Sequence, residues 1–522
     1  MARKTRAHTA GSRATARGST KTKGSSKVSG TKRAGKESLR VRMYRHGLGD
    51  CFLITLPKTD GAPFYIMIDC GIIVGSPNPS IMEDVVGSII ADTNGFVDIL
   101  VVTHEHYDHV SGFAIAQDLF VEKRTPGKLA AGRVWFAWTE DPADKLANRL
   151  RRERKKRKEK LAALVANMGM QGESSSFKGL VDHIDNVLGF FGMEKGKPKT
   201  EGKAKVAGTG SAMDFVGTLA PVRYCRPTDK PTTLPDVKGV RIYVLGPPAD
   251  EKMLKKTDSK TEVYHLANLG AAQSFFMTLQ DSEEDKFERY QPFERPARYT
   301  IEQMNKPIGG SGSGLDRHLE FFSDHYFGPS PGRSPVDQSW RRIDATYKDA
   351  AAEFALQLDS ATNNTSLVLA LELVDSEKVL LFAADAQVGN WLSWQNVKWK
   401  LDANTTVTAS DLLRRTVFYK VGHHGSHNAT PKAKGLELMQ SGDLVAFIPV
   451  NHKMAVKKGW GKMPLPNLVK ELNARTQGRL VLADEDYQPP NTSKGRAFAA
   501  ALTTGGPKGQ EELFYEWTMP MS

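Results

Sequence analysis

Apolar and β-branched residues in this chain fall into short runs bounded by turn-forming or charged residues, the pattern of buried strands. Val97-Asp98-Ile99-Leu100-Val101-Val102, Val379-Leu380-Leu381-Phe382-Ala383-Ala384 and Val417-Phe418-Tyr419-Lys420-Val421 each predict a strand, and a helical pattern begins at Val110 and runs to Ala116. About ten strand candidates alternate with helical or turn-rich stretches. Such a supply of elements fits a layered α/β (α+β) domain. The longest apolar runs stay under ten residues, so no membrane span is expected.

Chemistry is concentrated where these runs end. Thr103-His104-Glu105-His106-Tyr107-Asp108-His109 follows the first strand and puts three imidazoles and a carboxylate on a strand-to-helix loop. His104 and His106 share strand spacing, while Asp108 and His109 come from the turn that follows. Neutral imidazoles and a carboxylate suit zinc, with manganese or iron less well matched. Downstream, Asp385 closes one apolar strand and His423-His424 closes another. A carboxylate can bridge two cations and a His on the opposite rim can complete the second site. Each alone has an ordinary reading, Asp385 as a turn residue or cap and the His pair as surface; their order after the first motif favours ligands.

Taken together, Leu48-Gly49-Asp50-Cys51, Met67-Ile68-Asp69-Cys70-Gly71, His104-x-His106-x-Asp108-His109, Asn363-Asn364-Thr365-Ser366-Leu367, Ala384-Asp385 and Gly422-His423-His424-Gly425-Ser426 resemble the metallo-β-lactamase fold. More narrowly, they resemble the hydrolase domain of ComEC-type competence proteins, over about residues 40–487 and with long insertions. The resemblance implies a four-layer αββα sandwich with two divalent ions, zinc or manganese, at one edge. By the same resemblance His104 and His106 hold one ion, Asp108 and His109 the other, Asp385 bridges, and His423 completes the second site, with His424 as the alternative. Asp108, His109 and Asp385 are then the catalytic residues, and Asp69 either steadies the ligand loop or is a strand-end turn residue. Many family members carry a further His before the bridging Asp. Here His183, His265, His318 and His325 lie in no ligand context, His325 being the best placed by its apolar neighbours. A shared metal-bound water needs no protein nucleophile, and Ser426 and the three Cys sit in no nucleophile-base arrangement.

Charge narrows the substrate. Of the net +13, nearly all comes from residues 1–42, which hold thirteen Lys or Arg against one acid, Glu37. That leader is too poor in large apolar residues to order itself and lacks the apolar core of a secretory signal. It predicts a disordered basic tail, residues 1–40, ahead of a hydrolase domain, residues 41–522, with insertions at about 140–235 and 250–355. A basic arm of this kind tracks polyanions, or is simply a solvated tail. Within the domain, Lys145 to Met168 predicts an exposed cationic helix bearing Arg149, Arg151, Arg152, Arg154, Lys155, Lys156, Arg157 and Lys158, a candidate phosphate-facing arm. Cys51, Cys70 and Cys225 suit buried thiols in a reducing compartment, so a cytoplasmic protein is expected. The favoured function is a metal-dependent phosphodiesterase or nuclease acting on DNA or RNA. A small-molecule metallohydrolase (thioester, lactone or phosphoester) and a non-catalytic nucleic-acid-binding module stay open, as does a protein partner that gates activity. Oligomeric state is not encoded.

Overall fold

Alternation along the strands builds the interior of the computed structural model, which describes residues 38–170, 182, 184–194, 197–198, 208–256, 321, 355–458, 460, 463–506 and 512–521. In the strand Pro63–Ile68, Phe64, Ile66 and Ile68 face one apolar layer while Tyr65 and Met67 face another, as a period of two requires. The same division repeats in Val368–Leu373, where Leu369, Leu371 and Leu373 share the first layer and Val368 and Ala370 turn to a third.

Those layers separate two mixed sheets. The first has eight strands in the order Leu502–Gly505, Phe514–Pro520, Ser38–Tyr44, Phe52–Pro57, Pro63–Ile68, Phe96–Val101, Ala130–Ala137, Val222–Cys225. The second has seven, in the order Leu480–Leu482, Val445–Ile448, Thr416–Lys420, Lys378–Phe382, Val368–Leu373, Val240–Gly246, Thr232–Thr233. They pack face to face through Phe52 against Phe382 (ring centroids 6.1 Å apart) and Phe418 against Trp517 (6.0 Å). Helices Ile81–Thr93, Tyr107–Ile115 and Gly208–Leu219 cover the outer face of the first sheet, and Val388–Trp394, Ala409–Arg414 and Pro466–Thr476 cover that of the second. The result is the expected α+β sandwich.

The stretch at 140–235, expected as an insertion, supplies an edge strand to each sheet, Val222–Cys225 and Thr232–Thr233. One difference from the sequence reading matters. The helix expected from Val110 starts at Tyr107, with His106 as its cap residue, so Asp108 and His109 belong to its first turn. Apolar periodicity could not show that turn, because its residues are polar; a carboxylate there is favoured by the helix dipole. The leader 1–37, His183, His265, His318, His325 and most of 250–355 lie outside the described residues.

Three glycines bring the chain close enough for a site to form. Gly49 packs against the carbonyl oxygens of Gly71 and Asp108, and a Cβ on Gly71 would stand 2.3 Å from the Asp108 carbonyl carbon. Gly112 lies equally close to Cys70. Backbone bonds then lock the three segments together, Asp50 N–H to Asp108 O (2.9 Å), Gly71 N–H to Asp50 O (3.1 Å) and Cys70 N–H to His109 O (2.9 Å). Because the clash is with backbone and cannot be relieved by a rotamer, Gly71→Ala is expected to destabilise the fold by more than about 3 kcal/mol in urea unfolding. An unchanged midpoint would show that these segments are not closely apposed.

Candidate metal centre

Parallel strands in both sheets end at one edge, where ligand-bearing loops of α/β proteins commonly lie. His104 follows Phe96–Val101, Asp69 follows Pro63–Ile68, Asp385 follows Lys378–Phe382, and His423 and His424 follow Thr416–Lys420. Asp69 anchors the first of these loops: one oxygen accepts the Thr103 N–H (2.8 Å), the other accepts the Thr103 hydroxyl (2.7 Å) and the His109 Nδ1–H (2.8 Å). This leaves His109 Nε2 facing inwards, 3.1 Å from Asp385 Oδ2. His424 donates from Nδ1 to Pro449 O (2.5 Å) and sets Nε2 2.9 Å from Asp108 Oδ2.

The potential ligand atoms of Asp50, His109, Asp385 and His424 lie within 4.8 Å of one another, all buried. Around them, His104 Nε2, both ring nitrogens of His106, Asp108 Oδ1 and Asp50 Oδ1 are buried without a hydrogen-bond partner. Orphaned buried polar atoms cost about 1–3 kcal/mol each, and so many converging on one space is tolerable when a cation satisfies them. Imidazole nitrogens and carboxylate oxygens are the donors of zinc and manganese sites, so these residues fit a divalent ion.

Charge is balanced inside the cluster. Burial pushes His104 well below its ordinary range, helped by His109 and His106, and burial pushes His106 down to about 3, so both are neutral as ligands must be. Burial opposes protonation at His109 too, but Asp385, Asp50, Asp69 and Asp108 outweigh it and raise its pKa well above normal. His424 is raised likewise, its bond to Asp108 overcoming burial. Lys420 completes the balance. By alternation it shares the face of Phe418, between the sheets, and its ammonium contacts Asp50 and lies 3.3 Å from Asp385 Oδ1. Those two carboxylates raise its pKa despite burial.

Six of the seven sequence-derived ligand candidates, His104, His106, Asp108, His109, Asp385 and His424, therefore line one buried space. His423 stands beside them: its backbone N–H donates to Asp385 Oδ1 (3.1 Å), and its Nδ1 accepts from the Ser426 hydroxyl (2.8 Å) and lies 3.1 Å from the Gln387 amide, while His424 joins the four-residue cluster. Asp50, Lys420, Glu105 and Asp359 were missed. Two of them left a signal: Asp50 follows the glycines Gly47 and Gly49, both at positive φ, and Lys420 is a cation in an otherwise apolar strand.

The cationic helix Lys145–Met170 is no free rod. Arg154 is buried, pairing with Glu105 (2.6 Å) and Glu140 (3.2 Å), and Lys158 also reaches Glu105 (2.6 Å), so both are corrected from phosphate-facing residues to partners of the ligand loop. An acid left unpaired between two ligands in the interior would be costly, which is why the helix turns these cations inwards. Arg149 pairs with Glu251 and Arg151 with the carbonyls of Thr139 and Asp141. Arg152, Lys155 and Lys156 face outwards, and Arg157 is half-buried.

No protein-family profile and no curated protein matches the chain. Among solved structures, unliganded yeast PDE1 aligns with 92% of this chain and 99% of its own, at 8% identity and a TM-score of 0.26. A likeness that slight carries no argument about fold or activity. No helix among the described residues is long and apolar enough to cross a membrane.

Glu105 offers a test of the clasp between helix and loop. Burial would raise its pKa, but Arg154 and Lys158 hold it far below the ordinary 4.5. The stability it contributes is thus complete above about pH 4.5 and is lost as pH falls towards the depressed folded value. Glu105→Gln is expected to lower stability by about 3 kcal/mol at neutral pH, and the deficit is expected to shrink below pH 4.5. Thermal melts of both proteins across an acid series check this; a deficit independent of pH would remove the ionic clasp.

Proposed function

We propose that this chain is a metallohydrolase of the metallo-β-lactamase type that cleaves phosphodiesters, with nucleic acid as the substrate class. The carrying observation is the convergence of orphaned imidazole and carboxylate atoms at the shared edge of two sheets. His104 and His106 would hold one divalent ion, Asp108, His109 and His424 the other, with Asp385 between them. Bound there, such ions lower the pKa of a water and polarise the bond to be cleaved. The chain's own groups do the rest. Asp69 fixes the His109 ring, Lys420 neutralises Asp50 and Asp385, and the enclosing apolar residues keep bulk water out.

Two features support a polyanionic substrate. Arg152, Lys155 and Lys156 form an outward cationic face on a helix whose inner side grips Glu105, so a strand along that face passes within about one helix diameter, ~10 Å, of the ligand loop. The leader at residues 1–40 would add further phosphate contacts. The near-complete burial of His104, His106, Asp108, His109 and Asp385 favours the second reading, a small phosphoester or thioester.

Metal analysis by mass spectrometry, with cleavage assays on plasmid, single-stranded DNA, RNA, a bis-aryl phosphodiester and a thioester, separates these readings. Asp385→Ala is expected to lose most bound metal and at least about a thousandfold in rate, since a bridging ligand serves both ions; full metal content in that variant would end the bridging role. Reversing Arg152, Lys155 and Lys156 to Glu is expected to leave metal content unchanged while weakening nucleic-acid binding and flattening its salt dependence. Each lost phosphate contact removes about 0.7–0.9 from the logarithmic slope. Binding equal to the parent across a salt series would leave the small-molecule reading.

A further inference from the structure

The first ion, as assigned from the motif, has only His104, His106 and a shared Asp385. The further His sought before Asp385 falls outside the described residues at every candidate, yet a different side chain reaches the same space. Asp359 sits on a helix spanning 355–363, whose Ala355 and Leu358 are buried in the apolar layer over the second sheet. Its own side chain is 9% exposed. Asn363, one helical turn on, donates its amide to Asp359 Oδ2 (3.1 Å) and so fixes the plane of the carboxylate. Oδ1 is left without a hydrogen-bond partner, 3.8 Å from His106 Nε2, which also has none. His104 Nε2 is the third orphan here, its ring 4.7 Å from that of His106.

That spacing argues against a simple ion pair. A separation of 3.8 Å is too long for a hydrogen bond. Two donors on one zinc stand about 3.4 Å apart if each is about 2.0–2.2 Å from the ion, so the separation lies near a ligand-to-ligand edge. The backbone keeps Asp359 in register with the motif, because the Leu367 N–H that follows this helix donates to Thr103 O (2.9 Å). Asn364 is held in turn by the Asn390 N–H (3.0 Å) and by its own bonds to Leu254 O and Lys256 O. We infer that Asp359 is a protein ligand of the first divalent ion, joining His104 Nε2, His106 Nε2 and the shared Asp385 in a two-His, two-carboxylate set. Imidazole nitrogens and carboxylate oxygens are both donors that zinc takes.

This inference rests on the metallohydrolase reading, and one titration separates the two. The full chain, stripped of metal by chelator dialysis, is titrated with zinc against a competing chelator, and bound metal is counted by mass spectrometry. The parent is expected to take two equivalents, whereas Asp359→Asn, which keeps the side-chain shape, is expected to take one tightly and the second at least about a hundredfold more weakly. Asn363→Ala, which frees the carboxylate without removing it, is expected to weaken that same equivalent about tenfold; it carries the test alone should Asp359→Asn fail to fold by circular dichroism. Two equivalents at parent affinity in the variants would overturn the role of Asp359 and leave the metallohydrolase reading intact. A parent that takes up no metal would overturn both.

Discussion

Five carboxylates, Asp50, Asp69, Asp108, Asp359 and Asp385, are buried around a single space, and the rest of the structure is arranged around their mutual repulsion. Like charges at such depth cannot coexist uncompensated, since little water screens them. The protein answers with three cations of its own, Lys420, His109 and His424, each raised in pKa by its carboxylate neighbours. The answer is provisional for the two imidazoles. A divalent ion at these nitrogens would displace the protons, so its uptake would be linked to proton release. Lys420 differs: its ammonium contacts Asp50 and lies 3.3 Å from Asp385 Oδ1, a fixed positive charge between the two carboxylates.

Holding these groups in place draws on backbone in the left-handed region. Among the described residues eight non-glycine positions have positive φ, and four of them, Asp69, Ala384, His423 and His424, lie at this edge. Such conformations persist only when the surroundings over-determine them. Here the surroundings are identifiable: Thr103 on Asp69, the close approach of Gly49 and Gly71 to Asp108, and the Pro449 carbonyl on His424. The strain serves aim, turning side chains from two sheets towards one point.

The sandwich was legible in the sequence because strand alternation and short apolar runs are local signals. So was the His-x-His-x-Asp-His motif, whose ligands are adjacent in the chain. What escaped was non-local. Asp359 is an unremarkable helical residue until Asn363 and His106 are seen on either side of it, and Glu105 is a mere spacer until Arg154 and Lys158 arrive from a helix that charge alone had turned outwards. Sequence also could not show that His423 and His424 both sit at positive φ, which two identical neighbouring residues do not reveal.

The pairing of Ser38–Tyr44 with Phe514–Pro520 has a consequence in time. Arg40 and Glu516, which pair across it, are 476 residues apart in the chain, so at roughly 5–20 residues per second the first strand waits about 25–95 s after synthesis for its neighbour. Until then this strand, third in the finished eight-stranded sheet, is an open edge able to recruit another nascent chain. Arg40 and Arg42, placed on that strand, act as gatekeepers during the wait: a charged edge discourages association, and both cations pair with Glu516 once the last strand docks, Arg42 buried and Arg40 partly so.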